Sequence, residues 1–542
     1  MIIILGVIGV LFACMLAYPF GPDQSIFAVG GELIFKKGAL LYRDFLEAKP
    51  PVIFYIYGFA IWLFGHHEWS IRALDILYHL LSFMLLYRIV FVAFKSRKIA
   101  LTSLLFYTIF YIAEGFWGSS QTESFGLLPS LAIVYLLMTF EQRSFKSARS
   151  TIATGFGIAV CSIILFLLKY TLLFSFAGAM IFLALYSSAR WKDRLGLMIV
   201  STICLLAFGG LFILSLHATG SWENFLTMIN YLRTYAGTKP LLGLQTIKNA
   251  FYQEFPSALL MFLTPAMLFL VVAGAYSVRR KLQESPNDTS LQMFARLSGV
   301  MICCGLLSVL VERKFYGYQF IRIAWCLVPY IAFAIEDFRE HGWLRQWKRK
   351  IIDEKHYLSL VPGIFLLLVA MFYSPVPRML YRSVQWPWAL ITKASAGENE
   401  VLNDTYPVGQ IKKAAAFIAA RSTSEDEIFV WGNTVELYFL LNKLPPTICL
   451  ADGQFIPSWP PQSWRTTVIN QLHASNPKFF VVELNDAQPA VTGTSIGSYE
   501  YLMQWDELRS FLAGNYQELA TIGNFRIFER VADSRAPIRM NP

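Results

Sequence analysis

Asp23 follows the first apolar segment in the run Tyr18-Pro19-Phe20-Gly21-Pro22-Asp23-Gln24, and Tyr42, Asp44 and Lys49-Pro50-Pro51 come soon after it. A carboxylate can take a proton from a hydroxyl, and a lysine can balance an anion. In so apolar a chain, an acid and a lysine held beside a membrane surface are the residues best suited to chemistry. Asp23 also has a plainer role: it precedes an amphipathic stretch, Ser25 to Lys37, whose Ile26, Val29, Leu33 and Ile34 share one helix face. Capping that helix would be worth about 1 kcal/mol.

Three further sites carry charge next to apolar runs. Glu123, in Ser120-Gln121-Thr122-Glu123-Ser124, opens a predicted crossing, where the helix dipole alone would favour an acid. Arg313 and Lys314 lie in Glu312-Arg313-Lys314-Phe315-Tyr316-Gly317-Tyr318-Gln319, where snorkelling to lipid heads is the ordinary explanation. Arg322, one turn into the next crossing, is expected to face a cavity or a partner. Lys169 is either a membrane anchor or a ligand contact. His66-His67-Glu68 has no third ligand at a recognisable spacing, and Asp75 and His79, four apart, can pair with each other or with Arg72.

The elements that must position these residues are membrane helices. Of 542 residues 56% are hydrophobic and 15% charged, with a mean hydropathy of +0.48, which excludes an ordinary soluble protein. Basic residues cluster at 95–98, 143–149, 190–194, 279–281 and 339–355, and the positive-inside rule places these loops in the cytoplasm. All five share one side only if Val52–Gly65 does not cross, so this short stretch is predicted to be interfacial or re-entrant. Eleven crossings remain: 2–18, 71–94, 99–113, 122–140, 151–168, 171–188, 196–216, 258–278, 294–311, 319–335 and 357–373. The first is expected to be a retained anchor, since it lacks a basic leader and a small-x-small cleavage site. The chain is thus predicted to be a mainly α, polytopic membrane protein with about 11 transmembrane helices over 1–373, a first extracytoplasmic loop at 19–70 and an extracytoplasmic α/β domain at 374–542.

In that tail, helix-like 410–420, 435–441, 463–474 and 505–512 alternate with strand-like 427–430, 478–482 and 525–528. Six of the seven cysteines lie in apolar runs, so no disulfide framework is expected. The tail has no P-loop, dinucleotide fingerprint or nucleophile motif, and the basic residues form no nucleic-acid stripe.

The order Asp23, Gly38-x3-Tyr42-x-Asp44, Lys49-Pro50-Pro51, Phe54-Tyr55-x-Tyr57, Leu63-Phe64-Gly65 and Arg72 resembles the first extracytoplasmic loop of the GT-C glycosyltransferases. It is most similar to the branch of the lipid A aminoarabinose transferases, protein O-mannosyltransferases and Rgt-type sugar transferases. The resemblance implies a sugar carried on a polyprenyl phosphate and transferred, usually with inversion, to an acceptor outside the cytoplasm, at a plasma (inner) membrane site on the extracytoplasmic face. It assigns the catalytic base to Asp23, donor phosphate to Lys49 with Arg313, Lys314 and Arg322, and supporting roles to Asp44 and Glu123. Relatives often carry Asp-Glu where this chain has Asp23-Gln24, so the second acid is lost or has moved. No cofactor is certain, a divalent metal being the one candidate; the implied partners are the lipid-linked sugar, the acceptor and the bilayer. Transport or flipping of a lipid-linked sugar, or a non-catalytic scaffold, are the rival functions. Transport would place charges near mid-bilayer and often brings repeat symmetry, neither of which is evident.

Overall fold

The computed structural model describes residues 1–142, 147–237, 254–340, 406–457 and 460–531. The predicted crossing at 357–373 and the boundary at 373/374 lie outside them. The chain divides into two compact units. One comprises Met1–Tyr18, Arg72–Leu211 and Leu244–Pro387; the other comprises Pro19–Ile71, Phe212–Gly243 and Trp388–Pro542.

The helices in chain order are α1 (Ile2–Met15), α2 (Pro22–Lys37), α3 (Val52–Phe64), α4 (Glu68–Phe94), α5 (Arg97–Ala113), α6 (Thr122–Gln142), α7 (Ala148–Leu168), α8 (Phe174–Leu185), α9 (Trp191–Ala218), α10 (Trp222–Gly237), α11 (Phe255–Glu284), α12 (Thr289–Glu312) and α13 (Ile321–Glu340). Among the described residues seven helical segments are long and apolar enough to cross a membrane: 68–94, 122–142, 148–168, 191–218, 255–284, 289–312 and 317–340. Ten of the eleven predicted crossings fall on helices, three of them too short to meet that length on their own.

Within the membrane unit α13 is the central helix, packed on α5 and α11. The α11 backbone can approach it because Gly274 has no side chain; a Cβ there would lie 2.0 Å from the Tyr330 carbonyl oxygen. Two residues at the far end of α11 complete the seam: Ser277 Oγ donates to Asp337 at 2.6 Å and Arg280 pairs with it at 2.7 Å. Lys95 reaches Asp288 at 3.1 Å and Lys98 reaches Glu336 at 3.6 Å. Two of the predicted basic clusters, 95–98 and 279–281, therefore contribute to one end of the bundle.

In the second unit, α2 and α3 pack face to face. Gly31 and Gly58 make the contact possible, since a Cβ on Gly31 would lie 2.5 Å from the Gly58 nitrogen. Phe54 and Tyr57 fill the seam with Phe27, while Tyr55, Phe59 and Trp62 stay exposed.

The tail of this unit runs α14 (Val408–Ala419), β1 (Ile428–Trp431), α15 (Glu436–Leu440), α16 (Gln462–Ser475), β2 (Phe479–Glu483), α17 (Ser498–Gln504), α18 (Asp506–Asn515), β3 (Tyr516–Ile522) and β4 (Phe525–Arg530). The sheet order is β1-β2-β4-β3, with β1 parallel to β2 and the other pairs antiparallel. All three predicted strands are present; β3 is additional. Its Gln517 and Glu518 are exposed, so it shows only a partial apolar alternation.

Buried carboxyls gather where the parallel strands end. Glu483 accepts the Asn433 and Thr434 amide N–H groups at 2.8 and 2.9 Å. Burial, then the nearby Asp486 charge, push its carboxyl from the usual 4.5 up to about 7. The folded chain thus keeps a proton that the unfolded chain releases, and the stability this provides, full below pH 4.5, is lost as pH rises through 7. Amide-exchange protection of Val430 and Val481, corrected for intrinsic rates, is expected to fall between pH 5 and 8 by up to about 3 kcal/mol, and Glu483→Gln should flatten the dependence. Protection that is level with pH in the native chain would contradict this account.

Candidate active site

Helix α2 begins two residues earlier than a cap at Asp23 would place it, which changes the role of Asp23. Gly21 is the N-cap and Pro22 takes the first helical position, where a missing N–H costs nothing. The cap contact comes from Gln24, whose buried Oε1 accepts the Gly21 N–H at 3.1 Å. Asp23 is therefore a first-turn acid, not the cap. Glu and Gln are interchangeable in this capping position, so replacing the usual second acid by Gln24 preserves the helix start while removing a charge.

Lys49 Nζ stands 3.8 Å from Asp23 Oδ1, both side chains about a quarter exposed. The lysine also lies 5.4 Å from the centre of the Phe27 ring. The turn leading to it is built locally: Tyr42 has a φ of 70°, its hydroxyl donates to the Lys49 carbonyl at 3.2 Å, and its carbonyl accepts from Asn224 at 2.7 Å. Asp44 accepts the Leu40 N–H at 2.8 Å and pairs with Arg43, which holds its carboxyl below the usual range. Asp44 thus shapes the turn that carries Lys49. Glu47, which sequence reasoning missed, lies in the same turn and accepts the Ala48 and Lys49 N–H groups at 2.8 and 3.3 Å.

In the membrane unit, Glu123 and Arg322 belong to a closed ring with Lys169 and Glu312. Lys169 reaches each carboxylate at 2.7 Å, and Arg322 reaches Glu123 at 2.6 Å and Glu312 at 2.8 Å. Gln319 and Thr171 add hydrogen bonds to Glu312, and Thr122 adds one to Glu123. Two acids and two cations sum to zero charge. Arg322, a phosphate candidate from sequence, thus already faces two carboxylates. Arg313 ends α12 in the left-handed region at φ 59°, and Lys314 beside it is buried. Part-buried Glu114 lies against Gly317; burial, then the Glu123 charge, push its carboxyl up to about 8.

The loop before Glu123 is pinned by α4. Arg72 donates to the Ser119 carbonyl at 3.0 Å, to Ser120 Oγ at 2.9 Å and to the Phe116 carbonyl at 2.9 Å. Asp75 pairs with His79 at 3.1 Å and accepts from Ser120 and Tyr111. These are structural links, as the four-residue spacing suggested. His66 bridges Glu32 at 2.7 Å and the Phe439 carbonyl at 2.8 Å, while Glu68 accepts the Phe20 N–H. Among the described residues no three His, Cys, Asp or Glu side chains gather as a metal site.

Removing one acid from the ring leaves two cations facing one carboxylate. Glu123→Gln is expected to lower stability by about 3 kcal/mol, seen as an earlier thermal transition in detergent. Adding Lys169→Met to restore neutrality should recover part of it; a single variant that melts like the native chain would show that the ring is not a stabilising unit.

Residues 48–213 match the family described as dolichyl-phosphate-mannose-protein mannosyltransferase. No curated protein matched the sequence. Among solved structures, ArnT from Cupriavidus metallidurans, bound to undecaprenyl phosphate, is similar with a TM-score of 0.57 at 13% identity over 99% of each chain. The Archaeoglobus fulgidus oligosaccharyltransferase aligns with a TM-score of 0.43 at 11% identity, over 95% of this chain and 72% of that one. The chain is thus similar to that mannosyltransferase family over a stretch that starts beside Lys49, and its fold is similar to that of ArnT along its length.

Proposed function

We propose that this protein transfers a sugar from a polyprenyl phosphate to an acceptor hydroxyl on the extracytoplasmic face of the plasma (inner) membrane, with inversion at the anomeric carbon. The observation that carries the proposal is the Asp23–Lys49 pair, a carboxylate on the first turn of α2 and an ammonium on a turn built to hold it, 3.8 Å apart. The likeness to ArnT, which was solved with undecaprenyl phosphate, supports a donor of that class.

Asp23 takes the acceptor's proton as the acceptor oxygen attacks the anomeric carbon. The bond from that carbon to the phosphate oxygen breaks, and the polyprenyl phosphate leaves with the electron pair. Lys49 stabilises the negative charge that grows on the leaving phosphate, which lowers the barrier more than it strengthens ground-state binding. Arg313 and Lys314 are phosphate candidates from the sequence resemblance alone. Glu123 is a supporting acid that acts within its ring, and Arg322 is better supported as the partner of Glu123 and Glu312 than as a phosphate ligand. Asp44 supports the site by shaping the turn. Any divalent metal would be an addition to this scheme.

Asp23→Asn keeps size and removes basicity, and is expected to lower kcat by roughly 10²–10⁴-fold with little change in donor binding. Native turnover in that variant would exclude Asp23 as the base. Lys49→Ala should weaken undecaprenyl phosphate binding by about tenfold, measured by calorimetry in detergent. Release of polyprenyl phosphate from a lipid-linked sugar in the presence of acceptor separates transfer from transport and from a scaffold.

A further inference from the structure

The turn that carries Lys49 is fastened to the tail at two points. Leu46 N–H donates to the Ile448 carbonyl at 3.1 Å, and Gln454 Nε2 donates to Glu47 Oε2 at 3.0 Å. The other carboxylate oxygen of Glu47 accepts the Ala48 and Lys49 backbone N–H groups. Glu47 is 8% and Gln454 6% exposed, so each lies where a lost polar partner is not replaced by water. Gln454 sits in the short turn Asp452–Gln454, between β1 and α16, and all these residues belong to one unit. Trp464 on α16 adds a relay from the tail: its Nε1 donates to Asn224 at 2.8 Å, and Asn224 donates to the Tyr42 carbonyl.

We infer that Glu47 and Gln454 are positioning residues: Gln454 orients the Glu47 carboxylate, which fixes the backbone at Lys49 and so sets its ammonium beside Asp23. The tail then contributes to donor recognition without touching the donor. A second acid does stand in the loop, as the absence of one at position 24 invited. It differs from the missing acid because both of its oxygens are taken by N–H donors, which fits it for holding the backbone and not for accepting a proton. Burial raises the Glu47 carboxyl, opposed by Lys49 and the two amides.

The inference rests on Lys49 being a phosphate contact, and a double-variant cycle separates the two claims. Undecaprenyl phosphate binding is measured on the full-length protein in detergent for Lys49→Ala, Gln454→Met and the pair. Gln454→Met is expected to weaken binding by about tenfold, the loss for a buried hydrogen bond to a charged group, and to add nothing to Lys49→Ala. Losses that multiply in the double variant, or native affinity in Gln454→Met, would overturn the positioning role while leaving Lys49 in place. Native affinity in Lys49→Ala would remove the phosphate reading and this inference with it. Should Gln454→Met fail to fold, Glu47 provides the check. Glu47→Ala should lose affinity as Lys49→Ala does. Glu47→Gln should retain it to within about threefold, because its amide oxygen still accepts the backbone N–H groups while the Gln454 amide turns over to match it. Equal losses in both Glu47 variants would overturn the inference.

Discussion

The ring of Glu123, Lys169, Glu312 and Arg322 is the interaction on which the membrane unit depends. A charge removed from water costs several kcal/mol unless opposite charge and hydrogen bonds meet it, and all four side chains are largely buried. Each cation touches both acids, so no member can move without leaving a buried charge uncompensated. The ring therefore fixes the start of α6, the junction after α7, the end of α12 and the start of α13 at one level. The other end of α13 is held by Asp337, with Ser277 and Arg280, and the close approach at Gly274 lies between. Polar contacts at both ends of an apolar helix set its depth and rotation, which dispersion alone would leave loosely defined.

The second unit solves a different problem, that of holding a part-exposed lysine in one place. A lysine has four rotatable bonds and loses them only if its backbone is fixed and its stem packed. Here the Phe27 ring lies against the ammonium, the Tyr42 hydroxyl takes the Lys49 carbonyl, and Glu47 takes its N–H. Helix α2, started by Gly21, Pro22 and Gln24, presents Asp23 opposite. Asp23 is consequently spared from capping, and its carboxylate faces the lysine.

These two clusters have different uses because their exposures differ. A closed, neutral and buried ring is suited to structure, and opening it for a phosphate would expose Glu123 and Glu312 to one another. The Asp23–Lys49 pair is longer and reached by water, so a substrate can displace part of it at little cost. By this contrast Lys49 is better placed than Arg322 to meet an anionic ligand.

Hydrophobic run length and turn chemistry are local, and they made ten apolar helical segments, the short apolar helix α3, the three predicted strands and the turn that carries Lys49 legible in the sequence. Gly38 closing α2 in the left-handed region and Pro22 opening it are of the same kind. Glu312 and Glu47 were not legible as site residues, because an acid beside an apolar run has the same signature whether it caps, snorkels or pairs. Strand β3 escaped for a related reason, since its partly solvated face weakens the alternation. What the sequence by itself determined is which segments are helical, which could span a membrane, and which loop carries an acid and a lysine together. What only the tertiary structure decided is who meets whom across 46, 199 or 407 residues: Lys169 with Glu123, Arg322 with Glu123, Gln454 with Glu47. Such pairings depend on where whole helices and strands are packed, and no spacing along the chain encodes that distance.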